Sequence, residues 1–446
     1  MTESRTIVHK TIMVAALGIA VASLPFSVKV CHAAIMIIII NWLFEGQWHS
    51  KLSVVRNSLL LQVIIGLFAI QILGLAFSDN ILRGWFSLEK KIFLFFLPVA
   101  LATTVIRLKR RELNLILICF LIACLAGTVL CVQHAWREAI LFTEGKAEIN
   151  PYLAASQYYD LYPVHSEKWV FFSYVSLSEG ISIHPTYFSI YLAFSILILL
   201  HEFPHLPSRL IRAVAMILII YFAVFVVFLS SRIVILALAM GLLFVLIRGA
   251  LSKQKSLAII AALIAVIFSF LLFLNPVTRY RSLQDVNVST FQIEPGNDYS
   301  SAAQIRVSLW WLAFKSLANS NILFGAGTGD VEKAMARTSV HYRITNIIHS
   351  FDPHNQYLYT LLGNGFAAFS LLVLALILPV YYAYMQSHYL PLGFSLLFAL
   401  LCFTESALEL QKGIAFYSIF SGLLFFQLNT FQNFSIKFRS LSGANR

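Results

Sequence analysis

Stretches of about twenty apolar residues recur along this chain, each long enough to cross a hydrocarbon core roughly 30 Å thick. No other feature narrows the choice of fold so far. Inside lipid every backbone N–H and C=O must find a partner within the protein, which leaves helices or closed barrels. The stretches are continuous and do not alternate with period two, so they predict helices. Composition agrees: 59% of the 446 residues are hydrophobic and only 12% are charged, about half the charged share of a soluble domain. The prediction is an all-α polytopic membrane protein, a single membrane domain over 1–446 with about twelve spanning helices. Their approximate bounds are 11–27, 29–44, 57–77, 92–106, 113–133, 183–200, 213–229, 233–247, 256–274, 357–384, 390–403 and 413–430.

Charge gives the orientation. Lysine and arginine are denser in the segments that an inside N-terminus leaves in the cytoplasm, above all at Arg107, Lys109, Arg110 and Arg111. The positive-inside rule then places both termini in the cytoplasm. Arg5 and Lys10 precede the first apolar run with no small-residue cleavage site after it, so that run reads as an uncleaved first helix. The net charge of +12 could suggest nucleic acid, but the basic residues are scattered through short loops and read as topology control and lipid-headgroup contact. Cys31, Cys119, Cys124, Cys131 and Cys402 lie in or at the ends of apolar helices without metal-ligand spacing, and read as small core residues.

Two outer segments are longer than connectors need to be, and long loops in a compact protein are usually functional. Residues 134–182 are rich in aromatics, among them Tyr158, Tyr159, Trp169 and Phe171, which suit either sugar stacking or an interfacial belt. The larger segment, 275–356, joins helices nine and ten. Ser300 and Ser301 can cap a helix over about 302–319. Its apolar stripe of Ile305, Leu309, Leu312 with Trp310, Ala313 and Leu317 is expected to rest on the membrane surface, and Gly325–Gly329 to end the helix. The Gly-x-Gly-x-Gly spacing is not the dinucleotide fingerprint and no strand precedes it, so a tight turn is expected.

Charged residues at the edges of membrane helices are functional candidates by default. Arg232 lies where helix seven gives way to helix eight, and Arg306 opens the outer helix. Each can be a helix-end anchor or solvated charge; each can also present the planar paired donors that suit phosphate oxygens. His354, just before helix ten, is either an interfacial histidine or a base for an attacking hydroxyl. Nearby arginines are expected to favour its neutral form. Further candidates for substrate contact are Glu179 and His184 at the mouth of helix six, Lys90 before helix four, and Glu405. Against these stand structural roles: headgroup contact for Lys90 and Lys91, and a solvated or Lys412-paired role for Glu405 and Glu409. His349, Asp352 and His354, or Asp330 and Glu332, could in principle bind a metal, but neither spacing is a strong signature.

Arg232 after a long apolar pair, Arg306 opening a tryptophan-containing helix, the Gly325–Gly329 turn and His354-Asn-x-x-Leu occur in that order. Together they resemble the O-antigen ligase and polymerase superfamily over nearly the whole chain. Leu88-Glu-Lys-Lys before Pro98, His184-Pro-Thr-Tyr, and Thr404-Glu-Ser with Gln411-Lys-Gly resemble a branch seen in Bacteroidetes-type sequences. The resemblance implies a bacterial inner-membrane glycosyltransferase working at the periplasmic face, inverting and free of metal or other cofactor. Its donor would be a glycan on undecaprenyl diphosphate and its acceptor the lipid A core of lipopolysaccharide. Arg232 and Arg306 match the family's diphosphate-binding arginines and His354 its proposed catalytic histidine. An O-antigen polymerase or a protein O-oligosaccharyltransferase would use the same donor. A lipid-linked glycan transporter is the reading from another class, but it favours ionisable residues near the bilayer midplane and internal repeats, whereas here they gather at helix ends and in outer loops.

Overall fold

The computed structural model describes residues 3–143, 170–251, 302–344 and 351–427, with Ile293 and scattered positions between 259 and 279. Among these residues there are helices and no strands. In chain order they are α1 (Glu3–Ser23), α2 (Val28–Glu45), α3 (Trp48–Asn57), α4 (Leu59–Leu73), α5 (Ile81–Thr103), α6 (Arg110–Thr143), α7 (Tyr174–Glu179) and α8 (Pro185–Glu202). Then come α9 (Arg209–Phe228), α10 (Arg232–Leu251), α11 (Ala302–Ala318), α12 (Val331–His341), α13 (Gln356–Met385), α14 (Tyr389–Leu401) and α15 (Gln411–Ser421), the last continued by a π-helical stretch, Gly422–Gln427. Polar side chains close several helix starts: Ser27, Ser58, Ser208 and Asn355 each accept a backbone N–H from the first turn.

The chain is an all-α polytopic membrane protein. Among the described residues seven helices are long and apolar enough to cross a membrane: α1, α2, α4, α6, α8, α9 and α13, some with a few flanking residues. Two apolar helices are shorter, the Arg232–Leu243 part of α10 and α14. The first half of α5 carries Glu89, Lys90 and Lys91, so length alone does not make it a continuous apolar span. The ninth predicted span, 256–274, falls mainly outside the described residues. The sixth-element boundary shifts: α6 runs on to Thr143, so the first part of the 134–182 segment is helix, while 144–169 lie outside the described residues.

The described residues divide into two compact units, Met1–Phe120 with Phe291–Tyr299 and Gln304–Arg446, and Leu121–Thr290 with Ser300–Ala303. The first unit has two polar faces, and α5 shows which is which. At its start, Asp330 accepts the backbone N–H groups of Asp79 and Asn80, and Arg83 pairs with Glu332. At its end, Trp42 donates to Thr103, and Glu45 accepts from Thr104 Oγ1 and Val105 N while pairing with Lys51. Gln427 closes that second face on Leu101 O and Leu108 N. Lys10 meets Glu112 there too, so α1 and α6 begin on the same side as the Arg107–Arg111 cluster.

Helix α13 is broken, and the break is where the glycine loop docks. Gly365 has φ 74° and ψ −172°, a conformation essentially reserved for glycine. Into the gap the chain inserts residues 322–327: Phe366 N donates to Ile322 O, Ala326 N to Leu362 O, and Gly327 N to Gly363 O. A Cβ on Gly365 would lie 2.1 Å from Leu323 O. The glycines therefore do not end α11, which stops at Ala318; they let a loop lie against helix backbone. Nor does α11 rest its stripe on the membrane surface. Leu309, Leu312 and Ala313 pack with Val331, Met335, Ile344 and Leu362 in one buried cluster. The folded loop offers that stripe an apolar partner from its own chain, which buries it as completely as lipid would.

The second unit is built around α8, whose Tyr187, Phe188, Tyr191 and Phe194 are all buried. Phe188 stands edge-on to Phe225 of α9, 5.9 Å between ring centres. Gly127 of α6 lets the same ring approach, since a Cβ there would lie 3.0 Å from Phe188 Cζ.

Candidate active site

In the first unit the turn between α14 and α15 meets the approach to α13. Gln356 fastens them: its N–H donates to Cys402 O, its Oε1 accepts from Leu408 N at 2.7 Å, and its Nε2 donates to Glu409 and Thr360. Asp352 adds a second clasp, accepting from His354 N at 2.7 Å and from Ser406 Oγ at 2.5 Å. Between these clasps His354 is held at φ 45°, a left-handed conformation uncommon outside glycine.

Glu405 sits in that turn, only 5% exposed. Its Oε1 lies 3.3 Å from Arg306 Nη2, and its Oε2 lies 3.7 Å from His354 Nδ1. One buried carboxylate thus joins an arginine of α11 to the histidine before α13. The contact with Arg306 uses one of the five donors a guanidinium presents. Trp310 follows Arg306 by one turn on the same face of α11, and its Nε1 is buried without a hydrogen-bond partner among the described residues; so is Thr404 Oγ1, next to Glu405.

The carboxylate also sets the proton affinity of the imidazole. Glu405 holds His354 above its ordinary value; burial pulls the other way, Asp352 adds to the rise and Arg306 opposes it. The expectation that arginines would keep His354 neutral is therefore corrected. The acid, whose Oε2 faces the ring nitrogen, outweighs the guanidinium.

Glu405 and Glu409 are buried and not solvated; Glu405 meets Arg306, and the lysine that pairs with Glu409 is Lys91. Glu409 meets Lys91 at 2.6 Å, accepts from Ser87 Oγ at 3.3 Å, and is buried with both. Lys91 is accordingly not a headgroup contact. Lys90 is half-buried and lies over the Phe86 ring, 4.5 Å from its centre, away from the Glu405 contacts. Gln356 was missed by sequence reasoning, and so was the partner of Lys91. A lysine next to another lysine before an apolar run looks like an interfacial anchor, and no local pattern points to a partner on the turn after α14.

The other candidates lie in the second unit. His184 caps α8 through Nδ1, accepting from Thr186 N, with Tyr174 and Tyr187 edge-on around it. Glu179 ends α7, with His134 Nε2 at 3.9 Å. Arg232 is half-buried at the first position of α10, after Ser230, which bonds Thr278 Oγ1 at 2.7 Å. Of the alternative metal ligands, Asp330 is taken up by backbone N–H groups, Glu332 by Arg83 and Asp352 by the clasp; His349 lies outside the described residues.

Residues 216–373 match the family model for O-antigen ligase. Over that stretch the chain is similar to the O-antigen ligase family. The match supports the O-antigen ligase and polymerase superfamily and a glycosyltransferase-like activity of that kind, without separating ligase from polymerase or one branch from another. The matched stretch contains Arg232, Arg306 and His354 and ends before Glu405, so the carboxylate that ties two of them together enters from outside it. No curated protein sequence matches the chain.

Proposed function

We propose that this multi-pass membrane protein is an O-antigen ligase. It would transfer a glycan from undecaprenyl diphosphate to the lipid A core of lipopolysaccharide at the periplasmic face of the inner membrane. The observation that carries the reading is the shared carboxylate: Glu405 holds a phosphate-suited arginine and a potential base in one cluster.

The chemistry follows from that pairing. The acceptor hydroxyl oxygen attacks the anomeric carbon as the bond to the diphosphate oxygen breaks, with inversion at that carbon. The hydroxyl proton passes to His354 Nε2, the nitrogen opposite the one facing Glu405. Glu405 stabilises the imidazolium that forms, the role a carboxylate plays behind a histidine base in other enzymes. Charge builds on the departing diphosphate, and Arg306 meets it with a fixed cation, so no metal is required. Arg232 is assigned to the donor on its family resemblance. Trp310 Nε1 and Thr404 Oγ1 are donors suited to sugar hydroxyls.

A deletion strain complemented with variant genes tests this. Loss of ligase leaves bare lipid A core and glycan stranded on the carrier lipid; loss of a polymerase leaves core capped by one repeat. Complementation by the wild-type gene but not by His354→Ala is the expected result, with purified His354→Ala slower by roughly 10²–10⁴-fold in a chelator-containing assay. Core capped by a single repeat would instead identify a polymerase, and near-normal transfer by His354→Ala would remove the base.

A further inference from the structure

The first unit has a second concavity, on the polar face that carries the Arg107–Arg111 cluster. Helices α1 and α6 start side by side, bridged by Lys10 and Glu112 at 2.8 Å. They draw close again farther along, where a Cβ on Gly18 would lie 3.9 Å from Cys119 Sγ. Both contacts advance in the same direction, so the helices run parallel, about 12 Å from one contact to the next along α1. A groove of about 780 Å³ accompanies them, walled by Val14, Ala15, Ile19, Leu115 and Ile116. That volume is of the size that holds a small molecule, ~300–1,000 Å³.

The two ends of the groove differ chemically. Its length is apolar. Its mouth holds Lys10 and Glu112, and Lys109 and Arg111 stand exposed at the start of α6. Glu112 is already engaged by both Lys10 Nζ and Lys109 N. The mouth is therefore left with an excess of positive charge. A zwitterionic or neutral occupant would use the walls and waste the mouth, whereas basic pockets between membrane helices suit anionic headgroups.

We propose that the α1–α6 groove binds one anionic glycerophospholipid, an acyl chain along the walls and the headgroup phosphate at Lys10 and the Lys109–Arg111 run. The site is independent of the transfer reaction. It is tested on the purified full chain by native mass spectrometry, titrating phosphatidylglycerol and phosphatidylcholine of identical acyl chains. Wild type should retain one phosphatidylglycerol in preference to phosphatidylcholine. Lys10→Gln should weaken phosphatidylglycerol retention roughly five-fold, the share of one cation facing a phosphate, and leave phosphatidylcholine unchanged. Ala15→Leu, which fills the wall and leaves the mouth intact, should reduce retention of both. Equal retention of the two lipids, or a Lys10→Gln variant that keeps the preference, would overturn the proposal. So would a dimer that Ala15→Leu dissociates, because the groove would then be covered by a second copy of the chain.

Discussion

Glu405 is the residue on which the most can be decided. It raises the proton affinity of His354, and a base works only when neutral. Transfer should therefore rise with pH through an inflection above the ordinary imidazole value of about 6.5. Glu405→Gln keeps the shape but removes the charge, so the inflection should move down while the plateau falls. An inflection that stays in place in that variant would show that Glu405 does not act on the histidine. Stability follows the same shift with its own sign. A folded-state value above the unfolded one contributes stability in full below about 6.5, lost as pH climbs through the raised value. The neighbouring pair behaves differently, because Lys91 and Glu409 are both buried. Lys91→Met should destabilise by about 3–5 kcal/mol, since it strands a carboxylate away from water. Adding Glu409→Leu should recover much of that loss, which denaturant unfolding of the two variants would show. A double variant no better than the single would mean that packing, and not charge, sets the cost.

Among the elements, the apolar spans were legible because lipid imposes one strict rule on sequence: about twenty residues with internal hydrogen bonds. The periodic apolar face pointed to a helix where α11 runs from Ala302 to Ala318, while the serines expected to cap it lie outside the described residues. What covers that face was not legible. A stripe of Leu309 and Leu312 reads the same whether lipid or Met335 lies opposite. The break in α13 was hidden for a related reason. Gly363-Asn-Gly365 looks like ordinary small residues in a membrane helix, and only the inserted loop makes the second glycine obligatory. Arg306 and His354 could be found by motif, whereas the carboxylate between them is distant in sequence and acidic residues near helix ends are common. Gly365→Ala tests the element. Its backbone strain alone is of order 1–3 kcal/mol, before the clash with Leu323 O. Gly46→Ala is the control: φ is also positive there, but nothing lies within 4 Å of the new Cβ. The melting temperature should fall farther for Gly365→Ala. Equal falls would show that the inserted loop is not what fixes the glycine.

Across the whole molecule, orientation in the membrane can be measured directly. Within the first unit the cluster of Arg306, Glu405 and His354 is built on the turn held to the middle of α5 by Lys91 and Glu409, while Arg107–Arg111 follow its end. A positive-inside orientation then gives the basic run to the cytoplasm. Single cysteines placed at Lys109 and at Asp79, in a chain with its own five cysteines removed, should be labelled from opposite sides by an impermeant reagent, Asp79→Cys from the periplasm. Labelling of both from one side would dismantle the two-faced arrangement. The polar anchors on α5 carry one more consequence. From Lys91 to Thr104 is about 20 Å of helix, well short of the roughly 30 Å of a hydrocarbon core. With Thr104 at one boundary of that core, the Lys91–Glu409 pair would lie at acyl-chain depth, where protein alone must shield it. A lipid-borne donor would come to such a site sideways and slightly sunken, and reconstitution in a series of acyl-chain lengths should show transfer falling off as the bilayer thickens.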